Sequence, residues 1–337
     1  MEHTTKKSFT KFFHKIVKRS QLDNKSVMPT RIPRIGLALG CGGAQALVHI
    51  GVIKALEDNG IPIHAISGCS MGAYIGALWA TGMSADDMIS KVAVFQDKRV
   101  LKNMADPVVP PIKGLFYGNI LKANLKEQIG SPKIEDLKRQ YIAIAANLDN
   151  YQRVVFNKGD LLSAVHASCA MPGIVVPVEV NGVRCVDGGV VDPLPVGALC
   201  DYTDVDLVIA VSTTPSLNDI ESTDPSTIVE EILPTLENES WLKSKINILG
   251  KKCNPAAKGN MLDTLRRSLK ASQIRLAQES CKRAQLTIHP ITENSNWDEF
   301  SNYEHFIEEG AKATLAVMDE IKKLTEPVED IRKIENL

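Results

Sequence analysis

The sequence predicts an α/β fold with a mostly parallel central sheet between helices, and three stretches predict it. Ile35 to Leu39 is a short apolar run that passes through a glycine-rich loop into a helix-periodic segment, Leu47 to Asn59. Ile63 to Ser67 is a second such run, and it passes through Gly68-Cys69-Ser70-Met71-Gly72 into the apolar helix Ala73 to Ala80. Leu207 to Ser212 reads as a further buried strand. Successive strand-loop-helix units are the signature of parallel strands joined by crossover helices.

The elements follow in order. In the first helix Val48, Val52, Ile53 and Leu56 fall at helical spacing, and Asn59-Gly60 closes it as a C-cap would. Ser84-Ala85-Asp86-Asp87 is an N-cap signal for a helix to about Phe95. Asp106-Pro107-Val108-Val109-Pro110-Pro111 suits neither helix nor central strand. Leu115-Phe116-Tyr117 follows as an apolar loop, either an acyl-binding rim or a loop tucked into the core. Tyr141 to Leu148 and Arg153 to Phe156 read as strands, and Gly159-Asp160 opens a helix that Met171-Pro172-Gly173 stops. Val175 to Val180 and Val183 to Val186 flank Asn181-Gly182, a strong hairpin signal. Met261 to Ala284 is a long amphipathic helix, Leu286 to His289 a strand, and Tyr303 to Leu324 a closing helix.

These elements divide the 337 residues into a basic N-terminal segment and linker (1–33), an α/β domain (34–325) and a charged tail (326–337). Residues 216–260, polar and irregular, read as a surface insertion. Between Lys6 and Arg19 the residues Phe9, Phe12, Phe13, Ile16 and Val17 share a helical face among lysines. That pattern suits a helix packed on the domain, a disordered tail, or peripheral contact of residues 6–19 with an anionic membrane. No apolar run reaches the 18 or so residues that span a bilayer. A formal net charge of -1 gives no reason to expect nucleic acid binding. Seven cysteines without C-x-x-C spacing, and with no signal peptide ahead of them, read as free thiols in a reducing compartment. No metal-binding motif and no cofactor fingerprint is present.

The chemistry centres on Ser70. G-x-S-x-G between a strand and a helix is the spacing of a nucleophile elbow, with Gly68 and Gly72 making room for the two elements to approach. Asp187 ends a strand and is followed by Gly188 and Gly189, a place for an exposed carboxylate beside an uncrowded backbone. The loop Gly40-Cys41-Gly42-Gly43-Ala44-Gln45-Ala46 offers backbone N–H groups at a helix start, where they can meet developing negative charge. In a parallel sheet all three leave carboxyl ends of strands and converge on one edge. His289 and His305 follow Asp187 in the chain order of a serine hydrolase triad, and order alone leaves a triad open.

With these motifs the chain resembles the patatin-like phospholipase family, in its bacterial, neuropathy-target-esterase-like branch. The resemblance rests on Gly40 to Val52, Gly68 to Gly72, Ala167 to Gly173 and Asp187 to Gly189, and it spans about Ile35 to Ser212. It implies a three-layer fold and a serine acyl hydrolase of phospholipids, lysophospholipids or related lipid esters, cytoplasmic or peripheral on the inner face of a membrane. Ser70 would be the nucleophile, Asp187 the general base, and Cys41, Gly42, Gly43 and Ala44 the oxyanion donors. The loop departs from the family's pattern of glycines, a basic residue and a glycine, because Cys41, Gln45 and Ala46 stand at three of those positions. An alanine at 46 is strained if the position needs positive φ. The alternative function is a catalytically weak or inactive membrane-associated binding protein of the same fold.

Overall fold

The computed structural model describes residues 30–96, 106–215, 261–290 and 298–329. The expected amphipathic segment 6–19, the insertion 216–260 and residues 330–337 of the tail lie outside them. The chain divides into a unit Arg34–Leu324 and a second unit made of Met1–Pro33 with Thr325–Leu337. In the second, Thr30–Arg31 pairs antiparallel with Val328–Glu329.

The large unit is built on an eight-stranded sheet. Its strands are β1 (Ile35–Leu39), β2 (Ala65–Cys69), β3 (Gln140–Asn147), β4 (Arg153–Phe156), β5 (Val178–Val180), β6 (Val183–Asp187), β7 (Leu207–Val211) and β8 (Leu286–Ile288). The spatial order is β5-β6-β3-β2-β1-β7-β8, with β4 also paired to β3. From β3 to β8 every pair along this path is parallel, whereas β4, β5 and β6 join antiparallel.

The pleat of the parallel strands sorts side chains by size. Ile35, Leu37 and Leu39 of β1, Ile66 of β2 and Ile209 and Val211 of β7 belong to the larger core. That core holds α1 (Val48–Asp58), α2 (Met71–Ala80) and α3 (Ala85–Val92). The alternate residues Ala38, Ala65, Val208 and Ala210 meet Leu194, Val196, Leu199 and Ala277 on the other face. Successive strand residues point to opposite faces, so each strand serves two helical layers. This is the three-layer α/β arrangement expected from the sequence.

The remaining helices are α4 (Asn119–Ile129), α5 (Leu161–Ser168), α6 (Val196–Tyr202), α7 (Met261–Cys281), α8 (Tyr303–Ala316) and α9 (Met318–Leu324). The predicted caps are present: Ser84 and Asp87 form a reciprocal capping box, and Asp160 accepts from the Ser163 N–H at 2.8 Å. Asn181 and Gly182 carry φ of 52° and 79°, which the two-residue hairpin requires. The closing helix is two pieces broken at Val317. Neither α4 nor α6 was expected. On α4 only Leu125 is fully buried, so no apolar stripe marks it, and α6 is a seven-residue helix running out of a proline pair.

Candidate active site

Ser70 stands between the last residue of β2 and the first of α2, with φ 55° and ψ −127°. Among the described residues only three non-glycines have positive φ, and Ser70 is one. The flanking glycines make this backbone possible. A Cβ on Gly68 would lie 2.5 Å from Ala73 Cα, and one on Gly72 would lie 2.5 Å from Gly40 O. Helix α2 is thus pressed onto its own strand and onto β1, and Ser70 sits at the apex. The apex is buried, with Ser70 only 7% exposed.

The Ser70 N–H donates to Ser168 Oγ at 2.9 Å, and that hydroxyl donates in turn to Ile144 O on β3 at 2.6 Å. Ser168 is completely buried at the end of α5. Sequence reasoning gave it no role in the site, because a serine at a helix end reads as core. Its hydroxyl is the strut between the strained turn and the sheet.

Asp187 ends β6 and is 4% exposed, so the carboxylate expected to be exposed is buried instead. Burial pushes its carboxyl up from 3.8 to about 6, against the opposing influence of Ser70, the Gly189 N–H and Cys69. Oδ1 accepts from the Gly189 N–H at 2.7 Å and from Cys69 Sγ at 3.8 Å. Oδ2 is buried and has no hydrogen-bond partner. The Ser70 hydroxyl is close enough to favour the ionised carboxyl without closing a bond of ordinary length. Two donors on one oxygen leave the other as the basic one. Burial also drives the Cys69 thiol well above its usual range, which keeps it a donor.

Asp187 reaches the elbow by a different route from the predicted one. Strand β6 is antiparallel to β3, so its carboxyl end does not leave the sheet beside those of the parallel strands. Strand β3 overhangs the elbow instead: Ile144 pairs with Cys69, and the next three residues, Ala145 to Asn147, pair with β6. β6 returns along this overhang and ends at Asp187, opposite Ala145 and so level with Ser70. The chain beyond is pinned to both partners. Pro193 O accepts from the Cys41 N–H at 2.9 Å and Pro195 O from Ser67 Oγ at 2.8 Å. Gly188 is needed, since a Cβ there would lie 2.4 Å from the backbone Ile144 O, while a Cβ on Gly189 would lie 2.7 Å from Nε2 at the movable end of Gln273. That last contact brings α7, which the sequence reading left outside the site, against its floor.

The glycine-rich loop is a 3-10 turn over Gly43–Leu47 that continues into α1. Because the Cys41 N–H is spent on Pro193, Cys41 is removed from the expected oxyanion donors. Gly42, Gly43 and Ala44 stand at the open start of the turn, where a helical ladder leaves N–H groups without carbonyls. The loop's own carbonyls are held from elsewhere. Gly40 O accepts from His49 Nε2 at 2.8 Å and Cys41 O from the Thr213 hydroxyl. Burial lowers His49 to about 4, so the ring is neutral and donates through Nε2. A Cβ on Gly42 would lie 2.8 Å from Thr213 Oγ1. Gly43 has φ 57°, but Ala46 is not among the positive-φ residues, so the alanine is unstrained.

Among the described residues no histidine hydrogen-bonds the Asp187 carboxylate, whose donors are the Gly189 N–H and Cys69. His305 is exposed on α8, and His289 follows β8, which β7 and β1 separate from β2. Among the described residues no group of three His, Cys, Asp or Glu side chains is arranged to hold a metal. The six described cysteines are all free.

A strained, buried serine on a strand-turn-helix apex, level with a buried carboxylate, defines an α/β protein with a nucleophile elbow. Residues 37–199 match the model of the patatin-like phospholipase family. An NTE family protein of Mycobacterium bovis is 39% identical over 180 residues, covering 53% of this chain and 49% of the relative. A lysophospholipase of Saccharomyces cerevisiae is 32% identical over 163 residues, covering 48% of this chain and 10% of the relative. The chain therefore spans half or less of the length of these relatives. Human GIVD cytosolic phospholipase A2 superposes with a TM-score of 0.45 at 11% identity, over 87% of this chain and 60% of that one, too loose a likeness to bear on activity.

Proposed function

We propose that this protein is a serine acyl hydrolase that cleaves carboxylic ester bonds of phospholipids, lysophospholipids or related lipid esters by a Ser70–Asp187 dyad. The observation that carries the reading is the unpartnered, buried Oδ2 of Asp187 beside the apex serine, with the carboxyl raised to about 6. A carboxylate near neutral pKa is a stronger base than an exposed one, which a hydroxyl nucleophile needs. Ser70 Oγ attacks the ester carbonyl while its proton passes to Oδ2. The tetrahedral oxyanion is met by N–H groups of Gly42, Gly43 and Ala44. Its collapse expels the alcohol, which takes the proton back from Asp187, and leaves an acyl-enzyme. Water activated by the same carboxylate releases the fatty acid.

The family match and the lysophospholipase relative support a lipid ester as substrate. The test is turnover of a p-nitrophenyl acyl ester and of lysophospholipid by the full chain, with fluorophosphonate labelling of Ser70. Ser70→Ala and Asp187→Asn should each abolish turnover, and hydrolysis that survives in Ser70→Ala protein sinks the dyad. A second reading, a weak or silent binding protein of the same fold, is favoured by the occupied Cys41 N–H and the neutral Gln45. Absence of both labelling and turnover would select it.

A further inference from the structure

The segment Asp106–Tyr117 is a closed hairpin with an apolar tip in water. Its stem is held by Val108 N–H to Leu115 O at 2.8 Å and Tyr117 N–H to Asp106 O at 3.0 Å. The Asp106 carboxylate fixes the exit, accepting from the Gly118 N–H at 2.8 Å and the Asn119 N–H at 2.6 Å. Yet the tip, Val109-Pro110-Pro111-Ile112, is turned outward, with Val109 85% and Ile112 83% exposed. Two aliphatic side chains held in solvent by an ordered stem gain nothing for the fold. A flexible loop could bury them against its own base, and this one is hydrogen-bonded away from doing so.

Charge says what the tip meets. From Pro107 to Lys126 there is no acidic residue, and Lys113, Lys122 and Lys126 lie in that stretch. Lys113 is exposed directly beside Ile112, and Lys126 is exposed on α4. Apolar residues with the Lys113 cation directly behind them match a surface with an anionic face and a hydrocarbon interior. A protein partner would require shape complementarity over a far larger patch than one hairpin tip.

The hairpin is joined to the site. The Leu115 and Phe116 N–H groups both donate to Ile174 O, at 2.9 and 2.8 Å, and the Val176 N–H donates back to Phe116 O at 3.0 Å. The Ile174 N–H is held by Met171 O, and the neighbouring Ala170 O accepts from the Asp187 N–H at 2.8 Å. A short, fully hydrogen-bonded path thus runs from the stem to the catalytic carboxylate.

We propose that the Val109–Ile112 tip inserts into the interfacial region of an anionic phospholipid bilayer, with Lys113 at headgroup level, and holds the Ser70 site against the membrane. The choice of a bilayer rests on the lipid-ester reading of the site, but its test does not use hydrolysis. Full-length Ser70→Ala protein, which cannot consume the lipid, is mixed with vesicles of phosphatidylcholine alone or with phosphatidylglycerol. A Val109→Asp/Ile112→Asp double variant should bind the anionic vesicles about tenfold more weakly or worse, with an unchanged circular dichroism spectrum. Because residues 6–19 could bind vesicles independently, Ile112→Trp supplies a local readout. Its emission should shift to the blue on vesicle addition and be quenched by brominated acyl chains beyond the parent protein's own tryptophans. Equal vesicle affinity of parent and double variant, or no added quenching at position 112, overturns the proposal. So does a concentration-dependent dimer in sedimentation velocity that the double variant abolishes, since the tip would then serve a second copy of the chain.

Discussion

Ser168 Oγ accepts from the Ser70 N–H at 2.9 Å and donates to Ile144 O at 2.6 Å, so one buried hydroxyl ties the elbow to the central sheet. Positive φ at a non-glycine costs roughly 1 kcal/mol or more and persists only where neighbours fix it. Ser168→Ala leaves one donor and one acceptor buried without partners, a loss of about 1 to 3 kcal/mol. The expected outcome is a lower Tm in thermal unfolding together with a fall in kcat on a p-nitrophenyl ester. Unchanged kcat in folded Ser168→Ala protein would show that the strut is structural only.

In the proposed dyad Asp187 must be ionised to act as a base, so kcat/KM should rise with pH through about 6 and level off above it. A pH-rate profile on a soluble ester checks this. A flat profile between pH 5 and 7 would remove Asp187 as the titrating base.

The same carboxyl is a stability liability. With a folded pKa of about 6 against 3.8, it favours the folded state at acid pH and loses that advantage as pH rises through 6. The ionised form costs about 3 kcal/mol at neutral pH, at about 1.4 kcal/mol for each tenfold in acidity. Asp187→Asn should therefore raise Tm at pH 7.5 while abolishing turnover, with the gain shrinking towards pH 4. His49 has the opposite sign: its pKa is lowered to about 4, and it destabilises the fold as pH falls from 6.5 towards 4. Removing Asp187 should thus leave the variant more acid-sensitive than the parent.

Helices α1 and α8 meet through two glycines. A Cβ on Gly51 would lie 1.8 Å from Ile307 O, and one on Gly310 would lie 2.0 Å from Val48 O. Both obstacles are backbone, so the helices must separate to admit a methyl group. Gly51→Ala or Gly310→Ala should cost at least about 3 kcal/mol, at the upper end of overpacking penalties. Denaturant unfolding measures it. Gly310→Ala protein with parental stability would mean that α8 does not close the core.

Ala46 stands where the family's pattern has glycine, yet its backbone lies outside the positive-φ region. Ala46→Gly should not raise kcat, and it should lower stability by about 0.5 to 1 kcal/mol through the entropy of the unfolded chain. A faster Ala46→Gly enzyme would mean that the loop must reach another conformation to work.

The features legible in the residues alone are local. The turn Gly68 to Gly72, the hairpin at Asn181-Gly182, the caps at Ser84 and Asp160 and the alternating apolar strands are short-range patterns, each dictated by sterics or by hydrogen bonds a few residues long. They sufficed for a parallel α/β sheet and for Ser70 and Asp187 as the residues to watch. How those two meet is set by long-range packing. The antiparallel return of β6 along the β3 overhang, the Ser168 strut, the burial of both side chains and the loss of the Cys41 N–H to Pro193 all join residues far apart in the chain. A carboxylate's basicity and a backbone donor's availability depend on what is packed around them, and no local pattern encodes that neighbourhood.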